Sequence, residues 1–208
     1  MKIAVLSDIH GNIAALDAVL AAVAADDVDL IVNLGDICSG ALFPAATAAR
    51  LMPLDLPTIR GNHERQLGAL PPERMGLSDR HAAATLGADQ RAWLASLPPS
   101  LRLDGGVLLV HGTPASDLDY FLDTVTADGA RPASEAEVAA RRPRADAAVI
   151  LCGHTHLQRT MTLGDGRLIV NPGSVGLPAY DDDRPFPHRM ESGSPHARYA
   201  VIEDHGGL

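Results

Sequence analysis

Apolar residues fall in short blocks along this chain, and several blocks stop on a turn that carries Asp, Asn or His. Ile3-Ala4-Val5-Leu6 is apolar without alternation, which predicts a strand covered on both faces. It leads into Ser7-Asp8-Ile9-His10-Gly11-Asn12. Read as extended chain, the i, i+2 spacing puts Asp8 and His10 on one side of the backbone. Ile13, Leu16, Val19, Leu20 and Val23 then recur at helical spacing. They predict a helix over Ile13–Ala25, with Asn12 as its N-cap and Asp26-Asp27 at its end. A second apolar block, 29–34, runs into Gly35-Asp36. Strand, helix, strand at this length is a βαβ unit with parallel, adjacent strands.

The same reading predicts a helix over 44–52 and a third strand over 56–59, which runs into Arg60-Gly61-Asn62-His63-Glu64. Helices follow over 78–86 and 89–96, broken by Pro98-Pro99. A hairpin is predicted from 101–103 and 107–110, and its second strand ends in His111-Gly112. The stretch 113–144 is polar and Ala-rich, with one helix expected at 134–141. A strand over 147–151 ends in Cys152-Gly153-His154-Thr155-His156. A second hairpin is expected from 159–163 and 167–170, then a turn at Asn171-Pro172-Gly173-Ser174. From Asp181 to Ala197 the chain is charged and rich in Pro and Gly, which reads as a loop insertion. The last strand is 199–202. No internal repeat and no interdomain linker is visible, so residues 1–208 are expected to form one α/β domain around a mixed sheet.

Composition narrows the function classes. Hydrophobic residues make up 46% of the chain and aromatics only 3%, so a globular core must be built from Ala, Val, Leu and Ile. The formal charge of −9 argues against long duplex nucleic acid as the main partner, because phosphate contacts need a basic surface. No apolar stretch approaches the length of a membrane span. The two cysteines, Cys38 and Cys152, form no disulfide framework and read as small buried hydrophobes. The N-terminus lacks a signal-peptide pattern, so a cytoplasmic setting is expected.

The chemistry lies in the strand ends: Asp8 and His10, Asp36, Asn62 and His63, His111, and His154 and His156. Their separations leave room for return crossovers, so all can meet on one edge of a sheet, where open α/β sheets bind ligands. Gly35, Gly61 and Gly153 directly precede polar members of the set, where the backbone must bend and approach closely. The donors are oxygen and nitrogen with no thiolate, which suits Mn, Fe, Ni, Co or Zn. Asp8, His10, Asp36, Asn62, His111, His154 and His156 exceed the needs of one tetrahedral ion and suit two ions sharing a carboxylate.

These motifs, in this order, resemble the calcineurin-like metallophosphoesterase superfamily, and within it the small bacterial and archaeal phosphoesterases. The likeness spans roughly residues 3–176 and resumes at the last strand. It implies a four-layer sandwich in which two packed mixed β-sheets are flanked by helices. By resemblance, Asp8, His10 and His156 would hold one divalent transition-metal ion, with manganese the first choice. Asn62, His111 and His154 would hold the other, and Asp36 would bridge them. A hydroxide would attack phosphorus, Asn62 would stabilise the phosphoryl oxygens and His63 would protonate the leaving oxygen of a small phosphoester substrate. Small cores of this kind often pair, so a homo-oligomer is compatible with the resemblance.

The chain departs from the phosphoprotein phosphatases of that superfamily. There an Asp-Arg-Gly stretch after Gly-Asp supports the catalytic His and holds the phosphate. Here the stretch is Ile37-Cys38-Ser39-Gly40, so His63 lacks that acidic partner and no Arg is supplied. This favours a diester over a phosphoserine or phosphothreonine substrate. Two other functions compete. A retromer subunit resembles the family yet serves as a protein-interaction scaffold with altered ligands; a single-strand nuclease is the third reading. Taken singly, each residue has a plainer account: His111 as a hydrogen-bonded core histidine, His63 as a turn histidine beside Asn62, and Asn12 as a cap. His81, His188, His196 and His205 match no motif and are expected at the surface.

Overall fold

The computed structural model describes residues 1–142 and 146–204. Its strands are β1 (Lys2–Leu6), β2 (Leu30–Asn33), β3 (Ser100–Leu103), β4 (Val107–Val110), β5 (Asp123–Thr126), β6 (Gly129–Pro132), β7 (Val149–Leu151), β8 (Gln158–Thr162), β9 (Leu168–Pro172), β10 (Ala179–Asp182), β11 (His188–Glu191) and β12 (Ala200–Glu203). Its α-helices are α1 (Ile13–Ala25), α2 (Pro44–Leu51), α3 (Asn62–Ala69), α4 (Leu77–Thr85), α5 (Ala88–Ser96) and α6 (Glu135–Ala140).

Two mixed sheets form the centre. The first has the order β12-β1-β2, with β1 parallel to β2 and antiparallel to β12. The second has the order β3-β4-β7-β9-β8, parallel through β4, β7 and β9 and antiparallel at both edges. Alternate residues of the same strands go to opposite layers, as the two-residue period requires. Ile3, Val5, Val32 and Leu34 meet Val107, Leu109, Val149, Leu151 and Val170 between the sheets. Ala4 and Leu6 face the other way, onto Leu16, Val19 and Val23 of α1 and Leu94 of α5. On the far side Leu108, Val110, Ile150 and Ile169 pack on Phe121, Leu122 and Val138. The layers are therefore helices, sheet, sheet, and an outer layer made of α6 with the β5–β6 hairpin. Burial on both faces explains why β1, β4 and β7 read as unbroken apolar runs.

The α1 boundaries are as the spacing predicts. Asn12 caps the helix, its Oδ1 accepting the Ala15 N–H at 3.1 Å. The predicted strand over 56–59 is reduced to one parallel bridge, between Asn33 and Thr58. Pro57 has no N–H to give, and the chain turns away at Arg60, whose N–H bonds Pro98 O at 2.9 Å. The expected loop from Asp181 to Ala197 holds most of a hairpin instead: β10 and β11 pair antiparallel from Ala179↔Glu191 to Asp182↔His188. Its residues, AYDD and HRME, lack the apolar alternation that marks a strand. The β5–β6 hairpin and α3 also lie where no element was expected. Residues 143–145, the first two of which end the polar stretch 113–144, and His205 lie outside the described residues. Among the described residues no helix is long and apolar enough to cross a membrane.

Candidate metal centre

The ends of β1, β2, β4 and β7 deliver their polar residues to one edge shared by both sheets. Asp8 and His10 follow β1, Asp36 follows β2, His111 follows β4, and His154 and His156 follow β7. Asn62 and His63 open the first turn of α3. The loops are stitched by backbone bonds: Asp8 N–H to Gly35 O at 3.0 Å, His10 N–H to Asp36 O at 3.0 Å, and Gly153 N–H to His111 O at 2.7 Å.

The backbone here is not extended, as the i, i+2 argument for Asp8 and His10 assumed. β1 ends at Leu6, and the two residues adopt φ of 55° and 51°. Asp36 (54°), His154 (69°) and His156 (61°) share this left-handed conformation. Each such residue costs about 1–2 kcal/mol relative to ordinary backbone. Clustered strain of this kind marks a functional constraint and is held here by the stitching above. Two glycines allow the close approach. A Cβ at Gly61 would strike Asp36 Oδ1 and the His111 ring, and one at Gly153 would strike Ser7 Oγ and Asp8 Oδ2.

Two groups could each hold a metal ion, Asp8 with His10 and His156, and Asp36 with His111 and His154; within each group the ligand atoms lie within 4.8 Å of one another. Asn62 joins the second, with Oδ1 3.2 Å from His111 Nε2. The donor set fits a cation on two further observations. Asp8 Oδ1 is buried without a hydrogen-bond partner, while Oδ2 accepts from Ser7 Oγ at 2.5 Å and His154 N–H at 3.1 Å. Each histidine also gives one ring N–H to a backbone carbonyl. His10 Nδ1 donates to Ser39 O (2.6 Å), His111 Nδ1 to Leu34 O (2.8 Å), His156 Nδ1 to Leu177 O (2.7 Å) and His154 Nε2 to Leu118 O (3.1 Å). A carbonyl only accepts, so the tautomers are fixed and the opposite nitrogen of each ring is left for a ligand's role.

The electrostatics agree. Burial, reinforced by the neighbouring His156, pushes His10 down to about 4. Burial and His111 do the same to His154, so both are neutral imidazoles at physiological pH. Burial alone would raise Asp36, but His111, 3.0 Å away, holds it well below the usual carboxylate range. Burial likewise opposes the charge on His111, and the Asp36 carboxylate overrides it, to about 10. The proton on that pair sits where a divalent cation would otherwise balance the charge.

Several residues with a part in the site carried no signal strong enough to find them. Glu64 is buried under the cluster and accepts the N–H groups of Asp36, Ile37 and Gly61 at 2.8, 2.9 and 2.9 Å. Its sign in the sequence was its place in the Gly61-Asn62-His63-Glu64 motif; by accepting the Gly61 N–H it makes half of a capping box, which glycine has no side chain to complete. Asp79 of α4 lies 2.6 Å from His63 Nδ1. Burial lowers His63, but Asp36 and then Asp79 raise it to about 9. His188, expected at the surface, is buried at 8% exposure: its Nε2 meets the Tyr120 hydroxyl at 2.9 Å. Tyr180 donates to Tyr120 at 2.7 Å and packs edge-on against His156. Cys38 and Cys152 are buried, and burial pushes both thiols up.

Comparison with known proteins follows the geometry. A metallophosphoesterase from Sphaerobacter thermophilus shares 27% identity and a TM-score of 0.71, over 98% of this chain and 84% of its own. A hypothetical protein from Pyrococcus horikoshii has the same fold, with 18% identity and a TM-score of 0.72 over 99% of this chain and 89% of its own. The E. coli phosphoesterase Yfce is also similar in fold, at 21% identity and a TM-score of 0.51 over 98% and 89% of the two chains. No curated protein matches the chain. The model of the calcineurin-like phosphoesterase superfamily domain matches residues 1–187, and the chain belongs to that superfamily.

Proposed function

We propose that this protein hydrolyses a small phosphoester, with two divalent transition-metal ions at the strand-end cluster. The observation that supports the reading is the pair of groups, His10 and His156 with Asp8 and His111 and His154 with Asp36, in which each histidine is anchored by a carbonyl and Asp8 Oδ1 accepts no hydrogen bond. Asp8, His10 and His156 would hold one ion. Asn62, His111 and His154 would hold the other, with Asp36 shared between them. When bound, the ions would supply the Lewis acidity that makes hydroxide available at neutral pH, and manganese suits the oxygen and nitrogen donors.

The chain's own residues do the rest. Asn62 turns Oδ1 toward His111, which leaves its amide N–H groups for a phosphoryl oxygen. His63 stands beside His10, ring centroids 5.4 Å apart, with Nδ1 committed to Asp79 and Nε2 free to face a substrate. Hydroxide oxygen bonds to phosphorus as the bond to the leaving oxygen breaks. That oxygen keeps the electron pair and takes the proton from His63 Nε2. A diester is the favoured substrate. Ile37–Gly40 offers no Arg, and Arg65, two residues beyond His63, spends its guanidinium on Asp117 at 2.6 and 2.8 Å.

The test is hydrolysis of an aryl monoester and an aryl diester, with Mn²⁺ added and with metal chelated. Metal-dependent turnover that is faster on the diester is expected. Bound metal without turnover of either ester would favour the scaffold reading instead.

A further inference from the structure

The Ile37–Gly40 stretch gives His63 no acidic partner, yet His63 has one. Asp79 Oδ1 lies 2.6 Å from His63 Nδ1, a charge-assisted distance. Asp79 is only 2% exposed, although Leu77, at the start of the same helix, is 83% exposed. A carboxylate is buried this way only when its charge is answered. As an acidic residue in the first turn of α4 it would serve the helix dipole equally well from solvent, so burial against His63 needs a separate reason. The ring is also set from its backbone, since the His63 N–H bonds Asp36 Oδ1 at 3.0 Å. With Nδ1 held by Asp79, Nε2 is the ring nitrogen left to offer, and the His63 side chain is 26% exposed.

We infer that Asp79 is the positioning residue for His63: it fixes the ring so that Nε2–H points at the leaving oxygen, the task that the phosphatases assign to a residue of a different segment. This rests on the phosphoester-hydrolysis reading above. The proton that leaves is the one on Nε2; the Nδ1–H stays in the bond to Asp79.

The test compares Asp79→Asn with His63→Ala and the double variant, all Mn²⁺-loaded, on a nitrophenyl diester and an alkyl diester. Asp79→Asn is expected to lower kcat on the alkyl ester about 100-fold with KM unchanged, to lower it far less on the nitrophenyl ester, and to add nothing in the His63→Ala background. Equal losses on both esters, or losses that multiply in the double variant, would overturn the inference. If His63→Ala itself shows no leaving-group dependence, the general-acid reading fails first and this inference with it. Should Asp79→Asn not fold, the wild-type protein loaded with zinc decides: a slowly exchanging, deshielded His63 Nδ1–H resonance supports the bond, and its absence refutes it.

Discussion

His10 Nε2 lies 3.0 Å from His156 Nε2, and both rings donate through Nδ1, to Ser39 O and Leu177 O. The two Nε2 atoms face each other, and the buried Asp8 Oδ1, 3.3 Å from His156 Nε2, accepts no hydrogen bond. A cation answers both. Metal should therefore stabilise the fold, by about 2.7 kcal/mol when free metal is 100-fold above its Kd. Thermal unfolding with Mn²⁺ and with chelator measures this. His156→Ala should reduce the content from two ions per chain to one by elemental analysis; a melting temperature indifferent to metal would refute the site.

Gly61 shows how little space the cluster leaves. Any Cβ there meets Asp36 Oδ1 and the His111 ring. Gly61→Ala is expected to cost about 1–3 kcal/mol in denaturant unfolding, the range for overpacking, and to lose metal at the second group first. An unchanged metal content would show that the loops yield more readily than their stitching suggests.

Glu64 supports the turn from below. Glu64→Ala leaves the N–H groups of Asp36, Ile37 and Gly61 without their acceptor, which should destabilise the protein by about 2–3 kcal/mol. Because one of those donors is Asp36 itself and another is its neighbour Ile37, metal affinity should fall in parallel. Titration of the variant with Mn²⁺ separates this from a loss confined to stability.

The β10–β11 hairpin is joined to the metal loops through Tyr180, whose hydroxyl donates to Tyr120 and also lies 3.1 Å from His154 O. Tyr180→Phe removes about 1 kcal/mol of local interaction. Amide exchange in residues 179–191 should accelerate about five-fold while the global midpoint stays fixed. A shift of the global midpoint instead would make the hairpin part of the cooperative core.

The sequence by itself determined the two sheets' central strands and the residues at their ends. Ile3–Leu6, Val107–Val110 and Val149–Leu151 are covered on both faces, so their apolar runs are legible without any knowledge of the neighbours. Asp8, His10, His111, His154 and His156 were legible as polar residues after such runs, and Asp36 and Asn62 as polar residues directly behind a glycine that ends a less buried apolar stretch. Only the tertiary structure decided the rest. The left-handed backbone at Asp8 and His10 arises from bonds to Gly35 and Asp36, which no local spacing announces. The β10–β11 hairpin has no apolar alternation and is set by Tyr120, Tyr180 and His188, far apart in sequence. Asp79 looks like any acid in a helix's first turn until α4 is laid beside α3. Local periodicity records what a residue's own strand or helix buries; a partner reached across the fold leaves no mark on the chain until the layers close.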